Sequence, residues 1–325
     1  MPIISNSSYT SRPFYFPSRH LETIIPSVFY KADKVEFTDE RLALADGDFL
    51  DLGWLKNNNR KLLIACHGLE GSHERHYIKR SAKYFSQKNW DYLGWSYRGC
   101  GSELNRLPKQ YYYGGIEDFS DVIDHALHTD AYDQIVLLGF SMGGCLVNKY
   151  LGSQDKLDDR IKGGISFSVS CDLKDSTEAI RKNALGFYEK VFLKKLKEKL
   201  RLKAHFFEEI KSIPIDDIQS FDDYFEHYTL RFHGLKSEEE FYNKSSCINY
   251  FYNISRPNLI VNALNDPILG GNCFPYDKVK DNKYVYLETP SYGSHLGFSL
   301  IGKEYSWMEL RTDEFLESHI LPITD

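Results

Sequence analysis

The sequence predicts an α/β protein: a mostly parallel, doubly wound sheet with helices on both faces and a helical insertion. Three observations carry this. First, LLIACHG (62–68), QIVLLGFS (134–141) and GGISFSVS (163–170) are continuous apolar runs, as strands buried on both faces require. Second, segments with helical spacing stand between them, and such β-α-β crossovers are nearly always right-handed. Third, the alternation lapses from 172 to 255, then resumes with NLIVNAL (258–264) and KYVYLETP (283–290).

The elements follow in order. Residues 1–30 are aromatic and punctuated by proline, and read as an N-terminal arm packed on the body. KVEFT (34–38) and FLDLGW (49–54) alternate apolar with polar residues, as half-buried antiparallel strands do. A helix is expected from about His76 to Gln87, and a strand ending in a Gly-rich loop over DYLGWSYRGCGS (91–102). Phe119, Val122, Ile123 and Ala126 set a helix over 117–127, and MGGCLVNKYLG (142–152) another. The stretch 172–255 holds VFLKKLKEKLRLK and FDDYFEHYTLRFHG, helical patterns without a buried strand. The division is therefore an arm (1–30), an α/β core (31–171 and 256–325) and a helical cap inserted over the sheet's C-terminal edge (172–255).

Composition narrows the function. The 325 residues are 42% hydrophobic and 26% charged, with net charge −6. A mildly acidic chain lacks the basic footprint that nucleic acid or an anionic membrane attracts. The N-terminus has no basic region followed by an apolar run, and no stretch nears the roughly 18 apolar residues that span a bilayer. The chain thus reads as soluble, intracellular and cytoplasmic, with its oligomeric state open. The six cysteines are scattered without a CxxC pair and act as small hydrophobes. The 15% aromatic content serves a Phe- and Tyr-rich core or an apolar pocket.

Gly139-Phe140-Ser141-Met142-Gly143 fits G-x-S-x-G between a buried strand and a helix, the context the motif requires. Such a turn holds the serine in an unfavourable backbone conformation and lifts its hydroxyl above the sheet. It also places the hydroxyl at a helix N-terminus, where the dipole favours developing negative charge. A serine hydroxyl needs a base to become nucleophilic. In elbows of this kind an acid and then a histidine follow the serine in the chain. His295, in the Gly/Ser-rich SYGSHLGF loop after the last strand, is the base. Asp266 ends the strand before it, where sites of open α/β sheets gather, and is the acid that orients the imidazole. Glu288 is the alternative acid, within or beside the last strand. The oxyanion hole needs two backbone N–H groups. Met142, after the nucleophile, supplies one; Leu69, in the CHGLEG loop, supplies the other.

Other patterns carry less. His67 precedes Ser141 and reads as a structural prop. His67, His73 and His76 match no zinc spacing, so no metal is expected. Gly99-Cys100-Gly101-Ser102 lacks the P-loop Lys-Ser/Thr pair and reads as a tight post-strand loop. Tyr111-Tyr112-Tyr113 is core or pocket wall. No cofactor is implied.

Several stretches together resemble the YheT-like branch of the α/β-hydrolases, relatives of the animal α/β-hydrolase domain lipases and of yeast ethyl-ester synthases. They are HGLEGSHERHYIKR (67–80), YRGCGSELNRLPKQYYYGGIEDF (97–119), LGFSMGGCLVNKYLG (138–152), FDDYFEHYTLRFHGLKSEEEFYNKSS (221–246), NALNDP (262–267) and GSHLGF (293–298). The resemblance covers nearly everything beyond the arm. It implies an α/β-hydrolase fold and a serine hydrolase that cleaves carboxylic esters, short- to medium-chain acyl esters or lipids, through an acyl-enzyme, with Ser141, Asp266 and His295 as the triad. Two departures stand out. The family usually has two acids before the proline, where this chain has Asn265-Asp266; and its GGH loop is Gly293-Ser294-His295 here, which bears on how freely the loop moves. The alternatives are alcohol acyl transfer by the same triad and a non-catalytic binding protein on a hydrolase scaffold. A haloalkane-type hydrolase would need Asp at position 141.

Overall fold

The computed structural model describes residues 3–30, 34–129 and 131–321. Residues 1–2 of the expected arm, and 31–33, 130 and 322–325 of the expected core, lie outside them. A nine-stranded sheet forms the centre. Its strands are β1 (Ile3–Ile4), β2 (Thr38–Ala43), β3 (Phe49–Leu55), β4 (Lys61–Cys66), β5 (Asp91–Ser96), β6 (Gln134–Phe140), β7 (Ile161–Phe167), β8 (Asn258–Val261) and β9 (Val285–Glu288). The order across the sheet is β1-β9-β8-β7-β6-β4-β5-β3-β2. Every pairing from β1 to β5 is parallel; β3 runs antiparallel to β5, and β2 to β3.

The apolar runs behave as a sheet covered on both faces demands. Leu62 to Cys66 and Ile135 to Val136 have no exposed surface, and their side chains alternate between two apolar layers. Helices α1 (Arg19–Phe29), α2 (His76–Ser86), α3 (Glu117–His128) and α4 (Met142–Ser153) surround this sheet. In α3 the buried residues are Phe119, Val122, Ile123, Ala126 and Leu127, the spacing that predicts it.

Two local expectations change. KVEFT is not a strand: pairing starts at Thr38, and β2 continues through Ala43 against β3. Its alternation reflects Val35, buried in the core layer that α2 covers. The N-terminal segment is also more than an arm. Ile3 and Ile4 add the edge strand beside β9, and Ser18 caps α1 by accepting the Leu21 N–H at 3.3 Å.

Between β7 and β8 the chain forms helices joined by short loops, including α5 (Leu173–Lys182) and α6 (Phe187–Lys203). These helices enclose their own apolar cluster, from Leu173 and Leu196 to Phe221, Phe225 and Phe241. Among the described residues, no helix is long and apolar enough to cross a membrane.

Candidate active site

Ser141 sits between β6 and α4 with φ 56° and ψ −120°, a conformation that costs a non-glycine residue about 1–3 kcal/mol. The surroundings enforce it. Ser141 N–H donates to the Phe167 carbonyl at 2.8 Å, tying the turn to the end of β7. A Cβ at Gly143 would collide with the Cys66 carbonyl at the end of β4, so α4 can start this close to the sheet only with glycine there.

The structure brings the three sequence-predicted side chains into one chain of hydrogen bonds. His295 Nε2 lies 2.9 Å from Ser141 Oγ, and His295 Nδ1 lies 2.8 Å from Asp266 Oδ2. Asp266 Oδ1 accepts the Ile268 N–H at 2.8 Å, which fixes the carboxylate's rotation. The Asp266 side chain is fully buried and that of His295 is 9% exposed, so water competes little for the pair. Glu288 is turned elsewhere: its Oε2 accepts from Arg311 Nε at 2.6 Å.

The loop after β4 lies against the elbow. A Cβ at Gly68 would come within 3.1 Å of Ser141 Cβ. Leu69 N–H donates to no group among the described residues, and Met142 heads α4, where N–H groups precede the helical ladder. His67 does not face Ser141. Its Nδ1 meets the Gly68 carbonyl at 2.7 Å and its Nε2 accepts the Tyr97 N–H at 3.3 Å. Complete burial lowers its pKa to about 3, so the ring stays neutral and braces the loop. His73 Nδ1 bonds Ser96 Oγ at 2.8 Å, and His76 packs edge-on against Tyr77. The Gly99–Ser102 loop wraps the Asp51 carboxylate, which accepts the Ser102 N–H at 3.0 Å; a negative group there repels phosphate.

Sequence reasoning missed the clamp on the histidine loop. Ser294 and Leu296 flank His295 with φ 45° and 60°, left-handed values that need outside support. Helix α1 supplies it by turning polar residues inward. Glu22, fully buried, accepts from Gly293 N–H at 3.0 Å and from Asn265 Nδ2 at 2.9 Å. Asn265 Oδ1 in turn accepts the Ser294 N–H at 2.8 Å. Ser294 Oγ donates to the Arg19 carbonyl at 2.6 Å, and Thr23 Oγ1 accepts the His295 N–H at 3.3 Å. Ser168 Oγ, past the end of β7, accepts the Leu296 N–H at 3.1 Å. Both departures from the family pattern, Asn265 and Ser294, are therefore working members of this clamp. Burial raises the Glu22 pKa, against the opposing effect of its two donors.

A narrow apolar cavity opens on Ser141 and His295. Leu69 and Tyr111, Tyr112 and Tyr113 form one side; Leu173, Phe192, Leu196, Phe221, Phe225 and Phe241 of the segment between β7 and β8 form the other. The aromatic content thus builds a core and a pocket together.

Comparison with known proteins agrees with this architecture. The serine aminopeptidase, S33 (Hydrolase_4) family model matches residues 57–213. YheT of Escherichia coli (strain K12) is 26% identical over 319 residues, covering 94% of this chain and 92% of its own. Phospholipase ABHD3 of Bos taurus is 23% identical over 336 residues, covering 98% of this chain and 80% of its own. The esterase Pf2001 of Pyrococcus furiosus shares the fold, with TM-score 0.58 and 17% identity over 88% of this chain and 93% of its own. With a mostly parallel sheet and a strained serine between β6 and α4, the chain has the α/β-hydrolase fold, and over nearly its whole length it is similar to YheT and phospholipase ABHD3.

Proposed function

We propose that this protein hydrolyses carboxylic esters of acyl chains through an acyl-enzyme on Ser141. The observation that carries the reading is the unbroken Ser141–His295–Asp266 hydrogen-bond chain at the mouth of the apolar cavity. The relatives named phospholipase and lipase support the same substrate class.

In this reading each group has a task. Ser141 Oγ attacks the ester carbonyl carbon, and its proton passes to His295 Nε2. The carbonyl electron pair moves onto oxygen, and the N–H groups of Leu69 and Met142 receive that charge. Asp266 holds the imidazole in the tautomer that leaves Nε2 free and stabilises the imidazolium once formed. The tetrahedral intermediate collapses, the bond to the alcohol oxygen breaks, and His295 protonates the leaving alkoxide. Water then attacks the acyl-serine with His295 as base, and collapse releases the acid and returns the proton to Ser141. The helical segment 172–255 acts as a cap: its aromatic wall seats the acyl chain and keeps bulk water from the reacting carbonyl.

A fluorophosphonate tests the assignment, because it phosphonylates only an activated serine. Labelling of Ser141 that disappears in His295→Ala is the expected result; equal labelling of both proteins contradicts it.

A further inference from the structure

Helix α6 is rich in lysine, yet Lys199 is 8% exposed and points inward to the loop that carries Leu69. Its Nζ lies 2.7 Å from Glu70 Oε1 and 3.2 Å from Cys100 Sγ. Glu70 follows Leu69 directly and holds φ 53°, a left-handed value uncommon for any residue other than glycine. Tyr111 closes a reciprocal pair around it. The Tyr111 hydroxyl accepts the Glu70 N–H at 3.0 Å and donates to Glu70 Oε1 at 2.5 Å. Lys199 also lies over the Tyr111 ring, 5.3 Å from its centroid, and that ring stacks on Tyr97 at 4.9 Å.

We propose that Lys199, Glu70 and Tyr111 form a latch that positions the Leu69 N–H for the oxyanion and makes it depend on where the cap sits. The inference rests on the ester-hydrolase reading above. The left-handed conformation of Glu70 costs about 1–2 kcal/mol, and its rotation turns the peptide plane beside Leu69. Tyr111 pins that backbone from the core, and Lys199 pins the Glu70 carboxylate from the cap. A cap helix displaced from the cavity takes Lys199 with it and leaves a buried carboxylate without its cation, so the loop moves. The three are positioning residues: none touches Ser141 or His295 in the hydrogen-bond network.

The test uses the full chain with p-nitrophenyl acetate, whose acyl group needs little of the cavity. Lys199→Met, Glu70→Gln and Tyr111→Phe are compared with wild type, with Lys199→Arg as the conservative rescue. Misplacing one oxyanion donor lowers kcat by about 10- to 100-fold with KM nearly unchanged. Inhibition by an aryl trifluoromethyl ketone, which forms an oxyanionic hemiketal on the serine, weakens by the same factor. Lys199→Arg recovers most of both. Folded variants with wild-type kcat overturn the latch, as does a kcat loss that leaves ketone affinity intact. Tyr111→Phe removes a single oxygen, so it decides the matter if Lys199→Met does not fold. Ser141→Ala measured alongside separates the two claims. Turnover surviving in Ser141→Ala overturns the ester-hydrolase reading, whereas Ser141-dependent turnover indifferent to all three substitutions overturns the latch alone.

Discussion

Asn265 Oδ1 accepts the Ser294 N–H at 2.8 Å, so the residue before the acid holds the residue before the base. Asn265 also donates to Glu22, whose charge sits where burial disfavours it. Glu22→Gln removes the charge, but Gly293 and Asn265 donate to different carboxylate oxygens, and the amide puts an NH2 group in place of one of them. We predict a loss of roughly 1.5–3 kcal/mol of stability and a lower kcat. Asn265→Asp alone sets a carboxylate against Glu22 and beside Asp266, and is also destabilising. The double variant Glu22→Gln/Asn265→Asp keeps every hydrogen bond with the polarity exchanged. It should be more stable than the sum of the singles by about 1–3 kcal/mol, read from a double-mutant cycle in urea. Strict additivity contradicts the clamp.

The strained serine makes a second prediction. Glycine adopts φ 56° without penalty, so Ser141→Gly should raise the unfolding free energy by about 1–2 kcal/mol while abolishing turnover. Ser141→Ala keeps a Cβ and should gain less. Thermal melting of the two variants checks the order; an alanine variant as stable as the glycine one removes strain as the explanation.

His67 ties acid stability to the oxyanion loop. Its folded pKa of about 3 lies below the ordinary 6.5, so between these values the unfolded chain binds more protons. Its contribution is therefore complete above pH 6.5 and declines as pH falls toward 3. The wild-type advantage over His67→Gln should shrink across that window, by up to about 1.4 kcal/mol per pH unit. A difference constant from pH 7 to 4 means that the folded ring is protonated and contradicts the buried neutral brace.

If the cavity seats the acyl chain, its wall sets the chain length that fits. Thr177 faces the cavity from α5 and is 3% exposed. Thr177→Trp fills that space, so kcat/KM for p-nitrophenyl octanoate should fall roughly tenfold or more while acetate changes little; one lost methylene is already worth about 0.8 kcal/mol. A uniform loss across the series places the acyl chain elsewhere. Running the same esters with ethanol present separates water from alcohol as the second acceptor.

What the sequence makes legible follows from where each constraint resides. The Ser141 elbow is local: strand, glycines and helix are contiguous, so its strain can be read from the motif. The core strands are legible because burial on both faces leaves continuous apolar runs, and Asp266 and His295 because they end two such runs in a fixed order. Other features are not local. Ile3 and Ile4 pair with β9 from the other end of the chain. Glu22 and Asn265 are 243 positions apart, and an inward glutamate in an apolar helix carries no signal until both loops are placed. Lys199 hides in a lysine-rich run that is exposed in part, and its partner Glu70 lies 129 positions away, so only the folded chain brings the pair together.

The central claim is that Ser141 is the attacking group, activated by His295. The direct measurement is steady-state hydrolysis of p-nitrophenyl butyrate by wild type, Ser141→Ala and His295→Ala, with melting curves to confirm folding. The account predicts that each single change removes at least about 10³-fold of kcat, and that the double variant is little worse than either, as expected for residues acting as one unit. Folded Ser141→Ala turning over at the wild-type rate would contradict it.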